Sequence, residues 1–311
     1  MSINAPLVSV GIPSYKTSHL SRAIESVLNQ TYRNLEIIIV NDCSPHDVGS
    51  IVSRYSDDRI RYYVNERNIG GGFPARSWNV CLGKAAGDYF SMLCDDDAYE
   101  PSFIEEMLSL ARKYPGCNVF HSSVKVLNAA DEVIQTFPQS PEWESCADYI
   151  INVSRRKRKQ TVSEWMYRRS QMAETGGYAD LPMAWGSDYL SVMTLAKDGG
   201  IASTDKYLAM FRRTNENITM RRQGLSETKM RALAMYKQRL MKLVNGDEEL
   251  KRHVPMSCIE RIKWLEDIAV MTGAGSDELQ RIVRQRKNYG ISRSAIAVAY
   301  AKRAIKSVIK R

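Results

Sequence analysis

The run Leu35-Glu36-Ile37-Ile38-Ile39-Val40 narrows what this chain can become more than any other stretch. Four consecutive β-branched residues, stiff at χ1, read as a buried strand. Upstream, Leu7-Val8-Ser9-Val10-Gly11-Ile12 reads as a first strand that stops at Pro13. Between the two, Leu20, Ala23, Ile24, Val27 and Leu28 recur at helical spacing. Strand, helix and strand in so short a length form a βαβ unit, and hence a parallel sheet. A helix around 47–55, a short strand over 60–64, a helix over 76–86 and a central strand over 89–93 continue the pattern. In open α/β sheets ligands gather at the carboxyl ends of strands. Pro13-Ser14-Tyr15, Asn41-Asp42 and Asp95-Asp96-Asp97 all fall at such ends.

The last of these follows the apolar Phe90-Ser91-Met92-Leu93-Cys94 directly. Clustered carboxylates repel one another and raise each other's pKa, a cost that a divalent cation removes. Hard oxygen ligands suit Mg²⁺ or Mn²⁺. A turn of solvated Asp residues is the other reading of the same stretch. Farther on, a helix over 103–114, a strand over 118–127 and an irregular segment over 128–160 are expected. That segment ends in Arg155-Arg156-Lys157-Arg158-Lys159, either a solvated loop or one closing over an anionic substrate. A strand over 161–169, a turn at Gly176-Gly177, a helix over 185–197 with Asp188 in its first turn, and a strand over 207–213 follow. From about Gly224 the pattern is helical.

Several function classes drop out. Gly70-Gly71-Gly72 lies after the third strand and lacks the G-x-G-x-x-G order, so a dinucleotide oxidoreductase is excluded. No G-x-x-x-x-G-K-[ST] is present, which removes the P-loop class, and a pyrophosphorylase would want a Gly-rich loop where this chain has Pro-Ser-Tyr. The six cysteines are scattered with no C-x-x-C, as expected of reduced thiols in a cytoplasmic protein. No apolar run approaches the ~18 residues of a membrane span, and the first residues do not resemble a signal peptide. The net charge of +9 is uneven: residues 220–311 carry 21 Lys+Arg against 9 Asp+Glu, leaving 23 against 26 before them. A nucleic-acid-binding body should carry its own basic face, so no nucleic-acid partner is expected.

In order, Val8-Ser9-Val10-Gly11-Ile12-Pro13-Ser14-Tyr15, Ser26-Val27-Leu28-Asn29-Gln30-Thr31-Tyr32, the second strand with Asn41-Asp42-Cys43-Ser44, and the Asp cluster resemble the amino-terminal half of family 2 glycosyltransferases. Asn68-Ile69-Gly70 and Ala86-Gly87-Asp88-Tyr89 fit between them. The resemblance implies the inverting GT-A nucleotide-diphospho-sugar transferase fold, α/β with a Rossmann-like, mostly parallel sheet. A GT-A catalytic domain is expected over 1–220 and a basic helical region over 221–311. It implies that Pro13 shapes the nucleotide turn, that Tyr15 stacks near the base, and that Asp42 accepts from a uracil imide. Asp96 becomes the direct metal ligand, with Asp95 and Asp97 orienting waters or the donor sugar and Asp95 near the nucleotide. Cys94 falls where members carry a first Asp, and a thiol is a poor Mg²⁺ ligand. Arg212 and Arg76 match cations near the diphosphate. Asp188 matches the general base, with Ser187 in place of the usual preceding Glu. A dipole-favoured helix Asp is the plain alternative.

The expected activity is transfer of a hexosyl or N-acetylhexosaminyl group from a nucleotide-sugar donor, UDP by default, to a saccharide or lipid-linked hydroxyl. Bacterial surface-polysaccharide assembly is the expected setting. Without Q-x-x-R-W or membrane spans, a processive synthase is not expected. A non-catalytic sugar-nucleotide-binding or scaffold protein on the same fold is the alternative, and homo-oligomers stay open. From Leu279 to Arg311 there are ten Lys/Arg and no acid. Val298, Ala301, Ile305, Val308 and Ile309 project to one side of a helix, with Lys302, Arg303, Lys306 and Lys310 beside them. Such a helix can lie on an anionic membrane, which would make the protein peripheral at the inner face of the cell membrane, or can dock with its charges in water.

Overall fold

The computed structural model describes residues 5–214, 217 and 224–309. The strands are β1 (Val8–Ser14), β2 (Leu35–Asn41), β3 (Ile60–Val64), β4 (Tyr89–Met92), β5 (Ala98–Tyr99), β6 (Val119–Leu127), β7 (Val133–Thr136), β8 (Trp143–Glu144), β9 (Trp165–Arg168) and β10 (Ile201–Arg212). The helices are α1 (Leu20–Leu28), α2 (Val48–Val52), α3 (Pro74–Lys84), α4 (Phe103–Lys113), α5 (Cys146–Ser154), α6 (Arg169–Glu174), α7 (Ser187–Ala196), α8 (Ser226–Asn245), α9 (Glu248–His253), α10 (Met256–Gly273), α11 (Ser276–Arg284) and α12 (Arg293–Ile309).

One sheet runs in the order β3-β2-β1-β4-β9-β6-β10-β5, with β7 on β6 and β8 on β10. β1 is parallel to β2 and β4, β2 to β3, and β6 to β10, while β9 enters antiparallel between β4 and β6. The chain goes one way from β1 to β3 and resumes on the other side with β4. The crevice beyond the carboxyl ends of β1 and β4 is therefore the topological switch point of the sheet.

Strand alternation distributes the core to both faces. Val8, Val10, Ile12, Ile37 and Ile39 pack with α1 and α4, and Ile38, Val40, Phe90 and Met92 pack on the other face with α3, α5 and α7. Tyr236, Leu240 and Val244 of α8 join that second core beside Trp165 and Tyr167. Gly11 lies where α3 presses on β1: a Cβ there would meet Cys81 Cβ at 2.7 Å and the Phe90 ring at 2.9 Å. Gly11→Ala is expected to cost about 1–3 kcal/mol through overpacking, read as a lower urea midpoint with unchanged slope.

Three sequence expectations change. β1 does not stop at Pro13 but runs to Ser14. Gly11 C=O accepts from Leu93 N–H and Ser14 C=O from Asp42 N–H, so odd residues face β4 and even ones β2. β4 pairing ends at Met92 opposite Gly11, so no ladder bond is asked of Pro13. The 128–160 segment is not irregular throughout: it holds β7, β8 and α5, the last capped by Ser145, whose side chain accepts from Asp148 N–H. β10 begins at Ile201 rather than 207, because its register shift between Thr204 and Tyr207 breaks the apolar pattern.

Candidate active site

The chain leaves β4, turns at Cys94–Asp97 with Asp97 N–H on Cys94 C=O, and presents three carboxylates that are 2–5% exposed. The outer two are fixed. Asp95 Oδ2 accepts the N–H groups of Tyr15 (2.8 Å) and Lys16 (2.7 Å), stapling the end of β1 to the end of β4. Asp97 Oδ1 accepts Arg212 N–H (2.9 Å) and Oδ2 the Ser163 hydroxyl (2.6 Å). Among the described residues the carboxylate of Asp96 is held by side chains, Asn217 Nδ2 at 3.0 Å and the Lys16 ammonium. Burial pushes the Asp97 carboxyl well up, with repulsion from Asp96 adding to it, and pushes Asp95 up against the pull of Lys16.

Ligand atoms of Cys94, Asp96 and Asp97 lie within 4.8 Å of one another. Burial and the adjacent carboxylates drive the Cys94 thiol far above its usual range, so it stays protonated. The oxygen donors fit a hard divalent cation and the thiol does not. Asp96, whose partners among the described residues are side chains, is the carboxylate best able to turn toward one.

On the β2 side Asp42 is 4% exposed, and its N–H meets Ser14 C=O at 3.0 Å, which brings Pro13, Tyr15 and Asp42 together. Its carboxylate accepts Asn65 Nδ2 (2.7 Å), Ile69 N–H (3.0 Å) and Gly70 N–H (2.8 Å), closing the loop over 65–70. A Cβ at Gly70 would lie 2.7 Å from that carboxylate, so only glycine permits the approach. The Tyr15 ring, 43% exposed, is open for stacking.

The two arginines matched to the diphosphate sit in different environments. Arg76, half exposed, lies over the Phe73 ring at 4.1 Å and bonds Asp180 at 2.9 Å. Arg212, expected at the diphosphate, is 1% exposed and faces inward. Its guanidinium donates to Asp96 C=O (2.9 Å) and Asn128 C=O (3.1 Å) and pairs with Asp131, because a buried charge must find such partners.

Asp188 stands in the first turn of α7, behind Gly186 at φ 87°. A Cβ at Gly186 would meet the Tyr236 ring of α8 at 2.8 Å. Burial pushes the Asp188 carboxyl up to about 6, against the Gln160 amide and nearby N–H groups. Its charge is felt by the phenols of Tyr149, Tyr167, Tyr178, Tyr189 and Tyr236. Gln160 Nε2 donates to Asp188 at 3.2 Å while its Oε1 accepts from Tyr149 OH of α5. Ser163, three residues on, holds Asp97 and accepts Cys94 N–H. Three residues of extended chain span about 10 Å, so this short loop holds the base candidate and the carboxylate cluster near one another.

Sequence reasoning missed Lys16, Asn65, Gln160, Ser163, Glu164 and Asn217. Glu164 is wholly buried, accepts from Thr161, and is driven well above its usual range by burial, with the nearby Asp188 charge adding to the rise. The basic run 155–159 is partly tied down: Arg158 forks onto Glu144 and Lys159 lies over Phe137.

A mostly parallel sheet with acidic residues at its switch point, followed by helices, is the GT-A nucleotide-diphospho-sugar transferase fold. Residues 9–175 match glycosyl transferase family 2, and the chain belongs to that family. The candidate colanic acid biosynthesis glycosyl transferase WcaA of Escherichia coli (strain K12) is 37% identical over 109 residues, 34% of this chain and 38% of its own. The chain spans about a third of the length of the curated relatives it matches. Among solved structures, S. aureus TarS 1–349 in complex with UDP-GlcNAc superposes with a TM-score of 0.68 at 15% identity, over 95% of this chain and 88% of that one. The mannosyltransferase PcManGT from Pyrobaculum calidifontis, in complex with GDP-Man and Mn²⁺, gives 0.57 at 12% identity, over 99% and 89%.

Proposed function

We propose that this chain is an inverting, metal-assisted glycosyltransferase that moves a sugar from a nucleoside diphosphate donor, UDP by default, to a saccharide or lipid-linked hydroxyl. The observation that carries this reading is the loop 160–163, which bonds Asp188 through Gln160 and Asp97 through Ser163. Asp188 takes the acceptor O–H proton as that oxygen bonds to the anomeric carbon, and the carbon–oxygen bond to the diphosphate breaks on the opposite face. A carboxyl near 6 is ionised at neutral pH and still basic enough to accept that proton. Asp96, with Asp97 beside it, would hold the Mn²⁺ or Mg²⁺, which supplies charge stabilisation for the departing diphosphate. Tyr15, Pro13 and Asp42 form the nucleoside end, and Asp95 keeps the β1 turn in place. The complexes of TarS with UDP-GlcNAc and of PcManGT with Mn²⁺ support this choice of ligands by analogy of fold.

The test is nucleoside diphosphate release from a panel of nucleotide sugars in Mn²⁺. Asp96→Ala is expected to lower it tenfold or more, the scale of a lost charge-stabilising group. Calorimetric donor binding without release or transfer in any pairing would favour the non-catalytic reading.

Surface-polysaccharide assembly is the proposed setting, supported by the likeness to WcaA. Among the described residues no helix is long and apolar enough to cross a membrane. The projected stripe on α12 is only partly available: Ala295 and Ala299 face inward, Val298 packs against the helical core, and the side chains of Val308 and Ile309 lie outside the described residues, as does Lys310. Arg303 bonds the carbonyls of Met271 and Ala274. Exposed Tyr300 and Ile305 with Lys302 and Lys306 remain as the proposed contact with an anionic membrane.

A further inference from the structure

Lys16 directs its main-chain N–H and its ammonium at the carboxylate cluster. Its N–H donates to Asp95 Oδ2 at 2.7 Å, and its ammonium bonds Asp96 Oδ2 and lies 3.6 Å from Asp95 Oδ1. The side chain is 27% exposed against 6–7% for the two carboxylates, so the ammonium covers the pair from the solvent side. Asp96 Oδ2 thus carries two donors, Lys16 and Asn217, on the carboxylate that a divalent ion needs. A carboxylate oxygen has two lone-pair sites and both on Oδ2 are taken, so a metal ion that uses this oxygen must displace a donor, and one on Oδ1 meets the ammonium's charge at close range. A lysine suits an exchange of this kind: it is a compact point charge on a flexible four-carbon stem, without the rigid fork that locks an arginine.

We propose that Lys16 is an exchangeable counter-ion that must leave Asp96 for a divalent ion to bind, and that its displaced ammonium is taken up by the donor's diphosphate. The inference rests on the metal-assisted reading given above. A metal ion alone must break the Lys16–Asp96 pair and return an ammonium to water, which weakens its binding. With a nucleoside diphosphate present, the ammonium exchanges carboxylate oxygens for phosphate oxygens in charge-assisted hydrogen bonds. Metal and nucleotide therefore bind with positive coupling, and the coupling is reciprocal. The main-chain bond from Lys16 to Asp95 is untouched by the exchange, so the β1 turn stays in place.

The test is Mn²⁺ binding followed by electron paramagnetic resonance, with and without UDP, in the wild type, Lys16→Met and Asp96→Asn. Lys16→Met is expected to bind Mn²⁺ about tenfold more tightly without UDP, and the enhancement by UDP should be about tenfold smaller than in the wild type, the remainder being the ion's own attraction to the diphosphate. Lys16→Gln should behave as Lys16→Met, and Lys16→Arg, which keeps the charge, should keep the weak Mn²⁺ affinity. These two guard against a fold defect. Equal Mn²⁺ affinity in Lys16→Met and wild type, with binding lost in Asp96→Asn, overturns the exchange and leaves the metal site standing. The same holds for a wild type whose Mn²⁺ affinity ignores UDP. Undiminished Mn²⁺ binding in Asp96→Asn removes the metal assignment itself, and the exchange with it.

Discussion

Asp188→Asn is expected to lower sugar transfer by about 10³-fold, within the range of a lost general base, and at neutral pH to raise the melting temperature. The two effects share one cause. In the folded chain the Asp188 carboxyl sits near 6, above the ordinary 3.8, chiefly through burial. The native state therefore binds this proton more tightly than the unfolded chain does. That contribution to stability is fully present below about 3.8 and is lost as pH rises through about 6. At pH 7.5 the buried carboxylate costs roughly 1–3 kcal/mol, the linkage energy of such a shift reduced for partial exposure. An asparagine keeps a carbonyl oxygen for Gln160 and carries no charge to desolvate. Thermal scans at pH 7.5 and pH 5 should show a gain of a few degrees at the higher pH that shrinks at the lower. In the wild type the rate should fall about tenfold per pH unit below about 6, as the base becomes protonated. Loss of transfer together with loss of stability would make Asp188 a structural residue. A stable, inactive variant marks a site that gives up stability for function.

How much of this could be read from the sequence follows from the range over which each signal acts. The βαβ start and the switch-point residues were legible because β-branched runs and clustered aspartates are local signals: Ile37, Ile38 and Ile39 are all fully buried, and Asp95, Asp96 and Asp97 do fall at a strand end. The helix α5 carries local signals too, since Ser145 caps it and Cys146, Ala147, Tyr149 and Ile150 form its buried face. It was missed because polar Asn152 and Ser154 and the basic run beyond obscure that face. The partners of the site are another matter. Lys16 meets Asp96 across 80 residues of chain, and Gln160 meets Asp188 across 28. No spacing rule reports such pairs; only the sheet order brings the ends of β1 and β4 together. A motif placed Arg212 beside the cleft but could not say which way its side chain points. That direction is set by the carbonyls of Asp96 and Asn128, with Asp131, whose left-handed φ of 66° lies in the connection between β6 and β7, as a further partner.

Arg212→Met is accordingly expected to destabilise the fold by about 2–3 kcal/mol, with its largest share from the Asp96 carbonyl left without its donor. The side chain is 1% exposed and bonds the carbonyls of Asp96 and Asn128 besides Asp131. A buried carbonyl without a partner costs about 1–3 kcal/mol, which falls on Asp96, whereas Asn128 C=O keeps the Asp131 N–H at 3.3 Å and Asp131 is 39% exposed, keeps Arg22 at 2.9 Å and can rehydrate. Asp131→Ala should therefore cost only about 1 kcal/mol, the usual worth of a part-exposed pair. Lysine cannot rescue the site, because one ammonium cannot reach three acceptors fixed in a fork, so Arg212→Lys should lose at least about 2 kcal/mol. The lost bond to Asp96 C=O also frees the peptide unit that aims the Asp96 carboxylate, so Mn²⁺ affinity should fall together with stability. The opposite pattern is as clear to measure. If Arg212 were a diphosphate ligand, Arg212→Lys would keep its urea midpoint and its Mn²⁺ affinity and lose only affinity for UDP. Urea unfolding and Mn²⁺ titration of the same two variants thus separate a guanidinium that braces the carboxylate cluster from one that binds the donor.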